Sequence, residues 1–103
     1  MASHKPRLRK EQHPEKKVWV IDKIKAKRGD EISWTAPDDS DITIWFPPTR
    51  DPLKVGTITL RCAESLTKIV DKSVKKGTYH YSVYCHEDGT MAEGGTGPEM
   101  IIE

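Results

Sequence analysis

Between Gly77 and Cys85 the chain reads GTYHYSVYC. In an extended segment Tyr79, Tyr81, Val83 and Cys85 fall on one face, and Thr78, His80, Ser82 and Tyr84 on the other. A period of two cannot form the apolar stripe of a helix, which repeats every ~3.6 residues. The segment is therefore a half-buried strand, and its apolar face needs partner strands to cover it. That requirement constrains the fold of the whole chain.

The remaining sequence supplies such strands. In KVWVIDKIKAK, Val18, Val20 and Ile24 share one face and Trp19 and Ile21 the other, with Asp22 marking a bend or an edge. A KRGDE turn leads to EISWTA, where Ile32 and Trp34 point one way. After the polar PDDSD loop, ITIWF aligns Ile42, Ile44 and Phe46 opposite Thr43 and Trp45. Pro47 and Pro48 end that strand, because proline has no N–H to give a ladder. GTITLRC and TKIVDKSV read as two further strands, and EMIIE closes the chain. The one short helical candidate, AESLTKIV at 63–70, contains Thr67, Ile69 and Val70 and suits a strand equally. About seven short strands over residues 18–103 predict an all-β Greek-key sandwich, with Val20, Ile32, Trp34, Ile44, Phe46, Tyr79, Tyr81 and Val83 turned inward.

At 103 residues the chain suits one domain. No stretch approaches the ~20 apolar residues of a membrane helix. Charge is unevenly placed. Residues 1–17 hold six Lys/Arg and two Asp/Glu, a net +4, whereas residues 18–103 hold 11 basic and 14 acidic residues, a net −3. The head is polar, without apolar periodicity, and is expected to be a disordered basic arm preceding the domain at 18–103. It lacks aromatics to stack on bases, so a solvated tail is expected rather than a nucleic-acid contact. It also lacks the apolar core of a signal peptide, which leaves a cytoplasmic chain or an exported one with its signal removed. Cys62 and Cys85 are too few for a disulfide scaffold and read as two thiols, with a pairing in an oxidising compartment as the alternative.

Three stretches resemble the cupredoxins, the sandwich family of plastocyanin and azurin. KAKRGDEISWTAPDDSD resembles the family's GD-x-V-x-W strand and following loop, GTYHYSVYC its G-x-Y-x-Y-x-C strand, and GPEMIIE its last strand. Immunoglobulin-like and fibronectin-like sandwiches also carry a tyrosine-bearing strand of this kind. The resemblance implies a blue-copper site of two histidines, a cysteine and a weak axial methionine at one end of the sandwich. Cys85 matches the cysteine. The first histidine belongs near Asp41 or Ile42, yet no histidine occurs between His13 and His80. The second belongs at Asp88 and the methionine near Glu93, while His86 and Met91 stand at other offsets. The blue-copper set is thus degenerate.

Two functions follow as expectations. The first is a non-catalytic binding or structural module without a cofactor, with Trp45 outward beside the PP turn as a contact surface. The second is copper or zinc binding, or electron transfer, through Cys85 with His86, Met91 and Asp41. Adjacent residues of a strand point to opposite sides, which weighs against Cys85 and His86 sharing an ion or acting as a nucleophile and its base. EGGTGP reads as a flexible turn rather than a phosphate cradle, lacking the Lys-Ser/Thr of a P-loop. The expected partner is a protein or a small molecule, met by a monomer.

Overall fold

The computed structural model describes residues 2–13, 16–92 and 98–103. Among these, twelve short strands form: β1 (Ser3–His4), β2 (Leu8–His13), β3 (Lys16–Ile21), β4 (Ile24–Ala26), β5 (Glu31–Thr35), β6 (Ile42–Trp45), β7 (Thr57–Leu60), β8 (Ser65–Ile69), β9 (Gly77–His80), β10 (Ser82–Cys85), β11 (Thr90–Met91) and β12 (Glu99–Ile102). A single 3-10 turn, Pro48–Arg50, follows the prolines that stop β6. The strands build sheets in the orders β1-β5-β8, β11-β10-β6-β7 and β4-β12-β9, with β2-β3 as a separate hairpin. The chain is an all-β sandwich, and no helix among the described residues is long and apolar enough to cross a membrane.

The alternating segment behaves as its pattern requires, with one addition. It divides at Tyr81 into β9, which pairs with β12, and β10, which pairs with β6 and β11. One continuous run of chain thus serves two sheets. Parity is kept across the crossing: Tyr79, Tyr81, Val83 and Cys85 are all buried. Their core is shared with Ile32 and Trp34 of β5, Ile42 and Ile44 of β6, and Met100 and Ile102 of β12. At its centre Phe46 and Tyr81 stack with ring centroids 4.9 Å apart, and Trp34 meets both edge-on. Trp34 Nε1 donates to Tyr81 Oη at 3.3 Å, so the two polar atoms of the cluster satisfy each other. Burial pushes the Tyr81 hydroxyl up to about 12, which keeps it neutral in the core.

Two expectations change. The first strand turns the other way: Trp19 and Ile21 enter the main core cluster, whereas Val20, though buried, lies outside it. The reason is a slip of one residue at Asp22–Lys23, between β3 and β4, after which Ile24 and Ala26 face inward. The head, expected as a disordered arm, carries β1 and β2 instead. β2 pairs antiparallel with β3, setting Leu8 opposite Ile21 and Lys10 opposite Trp19, and Leu8 packs on the core. Lys10 Nζ lies 5.1 Å over the Trp19 ring and 3.1 Å from Asp88. Asp22 anchors the other end of the hairpin by pairing with Arg9 and accepting from the Arg7 amide.

β1 adds parallel to the edge of β5, held by the buried Asp30. One Asp30 oxygen accepts from the Ala2 amide at 3.1 Å; the other takes the Lys27 amide at 2.9 Å and faces His4 Nε2 at 2.8 Å. The Lys27 amide, then His4 and the Ala2 amide, hold the carboxyl well below the usual carboxylate range. A depressed folded-state pKa gives stability that is present above the unfolded value of 3.8 and lost as pH falls below it. Asp30→Asn is therefore expected to lower Tm by several degrees at pH 7, with the gap to the parent chain narrowing steadily as pH falls below ~4. Thermal melts across that range check this; a gap that stays constant contradicts the latch.

Candidate functional site

The register of β10 with its neighbours assembles one end of the sandwich. Cys85 lies opposite Ile42 of β6 and Thr90 of β11, and Tyr84 opposite Thr43 and Met91. Beyond the paired residues, the His86 amide donates to the Asp41 carbonyl at 3.0 Å. Asp41, Cys85, His86 and Met91 thus come from neighbouring strands and loops, as expected, but their side chains diverge.

Cys85 faces inward and is fully buried. Burial, helped by the Asp88 carboxylate and opposed by Lys10, pushes its thiol up to about 11. A metal takes the thiolate, so this environment disfavours the ligand form. His86 turns to the opposite side. Its Nε2 lies 2.8 Å from Thr43 Oγ1, and its ring meets Tyr84 edge-on at 5.1 Å. Met91 is exposed beside Tyr84. The sheet itself separates this sulfur from this imidazole, as their adjacency in an extended chain implied.

Asp41 has another partner. Its Oδ1 accepts from the Cys62 amide at 2.9 Å and from Cys62 Sγ at 3.3 Å. The Cys62 thiol, then its amide, hold the Asp41 carboxyl down, and that carboxylate in turn pushes the Cys62 thiol up. Both cysteines are free, Cys62 exposed and Cys85 buried. Asp39, Ser40, Asp41, Cys62, His86 and Glu87 line a surface cleft of about 340 Å³. Among the described residues no group of three or more His, Cys, Asp or Glu side chains is placed to hold a metal ion. Cys85 faces the core and His86 the other side of the sheet, so these two are not placed to share an ion. Glu93 and most of the EGGTGP turn lie outside the described residues.

The pairing of Asp41 with Cys62 was hidden in the sequence. It follows from Ile42 lying opposite Leu60 in the β6–β7 ladder, which brings the segment after β7 to the start of β6. The second feature lies on the outer face of the same sheet. Thr43 partners Thr59 on one side and Tyr84 on the other, and Tyr84 partners Met91. Trp45 shares the outward parity of Thr43. Of the four large hydrophobic side chains exposed among the described residues, Trp45, Tyr84 and Met91 occupy this one face, and only Ile69 lies elsewhere.

No family model matches the chain, and no curated protein matches it. Solved structures similar to it include amicyanin mutants in the copper(I) state, 13% identical, over 79% of this chain and 69% of theirs, with a TM-score of 0.48. A reduced amicyanin mutant is 12% identical over the same shares, also at 0.48. The likeness is distant.

The two thiols give a direct check of this geometry. Ellman's reagent is expected to titrate one thiol per chain in the native protein and two in denaturant, with Cys62→Ser abolishing the native reaction. Asp41→Asn removes the carboxylate that raises the Cys62 pKa, so it is expected to speed that reaction at neutral pH. Two native equivalents would place Cys85 at the surface.

Proposed function

We propose that this chain is a small cupredoxin-like sandwich serving as a non-catalytic binding module, with the outer face of the β11-β10-β6-β7 sheet as its contact surface. The observation that carries the reading is the gathering of Trp45, Tyr84 and Met91 on that face. Trp45 keeps 42% of its surface exposed and Met91 48%, although the core beneath is closed by Ile42, Ile44, Val83 and Cys85. These side chains are not needed to fill the core, so their area is free for a partner. Aromatic rings supply large apolar contact at low entropic cost, methionine adds an adaptable apolar contact, and Thr43, Thr57, Thr59 and His86 around them supply hydroxyls and an imidazole for polar contacts. The divergence of Cys85 from His86 and Met91 supports a module over an electron carrier.

The neutral dye Nile red reports apolar surface without a charge bias. The native chain is expected to enhance its emission, and a Trp45→Ser, Tyr84→Ser double variant to lose most of that enhancement. Each surface change should leave stability within about 0.5 kcal/mol of the parent. No enhancement by the native chain, or the same enhancement by the variant, rejects this face as the contact surface.

A further inference from the structure

We propose that the cleft between the Pro48–Arg50 turn and the loop at 71–76 binds the phosphate group of a small phosphomonoester. The cleft holds about 400 Å³, and Thr49, Arg50, Asp51, Ser73, Lys75 and Tyr79 are among its walls. It lies past the C-terminal end of β6, whereas Asp41, Cys62 and His86 stand at the start of that strand. It is also separate from the outer sheet face proposed above.

Arg50 is fixed in place by the protein. Its guanidinium lies 4.8 Å over the Tyr79 ring, and its Nη2 donates to the Thr78 carbonyl at 2.8 Å. Tyr79 is itself buried, and its hydroxyl donates to the Lys75 carbonyl at 2.5 Å. From another side Arg28 Nε donates to the Val74 carbonyl at 2.7 Å. The loop carrying Lys75 is thus tied down at consecutive residues. Arginine has five N–H donors, and the Thr78 carbonyl takes one of them.

The walls of this cleft carry two cations, Arg50 and Lys75, and one carboxylate, Asp51, an excess of positive charge. Among the described residues neither Arg50 nor Lys75 has a carboxylate in ion-pair range. The two nearby carboxylates are engaged with their own turns. Asp51 accepts from the amides of Val55 and Gly56 at 2.9 and 2.7 Å. Asp71 accepts from the amide and hydroxyl of Ser73 at 2.8 and 2.7 Å. Arg50, Lys75 and Thr49 therefore line a concave space whose one carboxylate, Asp51, is turned to the amides of its own loop.

The number and type of these donors select the ligand class. A phosphomonoester presents two charges and three free oxygens, which match a forked guanidinium, an ammonium and a hydroxyl. A carboxylate has one charge and two oxygens, and Arg50 alone would satisfy it. A nucleic-acid strand would need exposed rings for its bases, but the face of Tyr79 is covered by Arg50.

Amide chemical shifts followed during titration with inorganic phosphate test the site, with sodium acetate and sodium chloride at matched ionic strength as parallel arms. Saturable shifts are expected at Thr49–Asp51 and Ser73–Lys75 with phosphate, with acetate at least about tenfold weaker and chloride giving none. Arg50→Gln and Lys75→Gln are each expected to weaken phosphate about tenfold, and Lys25→Gln, a change on the exposed side of β4, to leave it unchanged. Since Arg50 also packs on Tyr79, Lys75→Gln carries the test if Arg50→Gln unfolds. Shifts that never saturate, that chloride reproduces, or that Lys75→Gln leaves intact would overturn the site.

Discussion

The cluster of Trp34, Phe46 and Tyr81 stands where the sheets exchange a strand, and the remaining structure depends on it. Trp34 comes from β5, Phe46 is the residue after β6, and Tyr81 the residue between β9 and β10. Each ring therefore ties a different stretch of chain to one point. The Trp34 to Tyr81 hydrogen bond removes the cost of burying either polar atom alone, which runs to about 1–3 kcal/mol. With Tyr81 pinned inward, strand parity turns Val83 and Cys85 inward and Ser82 and Tyr84 outward.

That parity decides the chemistry available at the end of β10. A thiol in the core is held protonated and out of reach, and the next residue, His86, is directed to the far side of the sheet. The same parity that hides the sulfur lays Tyr84 beside Met91 and on the face of Trp45. One geometric rule thus sets Cys85 and His86 on opposite sides of the sheet and produces the apolar surface proposed to bind a partner.

The features legible in the sequence were those set by local alternation. Tyr79 to Cys85, Ile32 with Trp34, and Ile42 with Ile44 all took the faces their spacing implied, and Trp45 stands outward. What the sequence concealed were features made by pairing at a distance. Val20 seemed to continue the face of Ile24, but the slip at Asp22–Lys23 gave that role to Trp19 and Ile21. The basic head showed no apolar pattern beyond Leu8, because β1 is held by backbone pairing and by Asp30, 26 residues from His4. Cys62 looked remote from the site until the β6–β7 register placed it against Asp41. The role of Arg50 was concealed likewise, since its stack on Tyr79 joins segments far apart in the chain.

The central claim is that Cys85 belongs to the core and not to a metal centre. The most direct test is a Cu²⁺ titration of the Cys62→Ser chain, which removes the exposed thiol, read by visible absorbance. The account predicts no intense copper–thiolate band near about 600 nm and no stoichiometric binding. An intense band that disappears on a further Cys85→Ala change would contradict it.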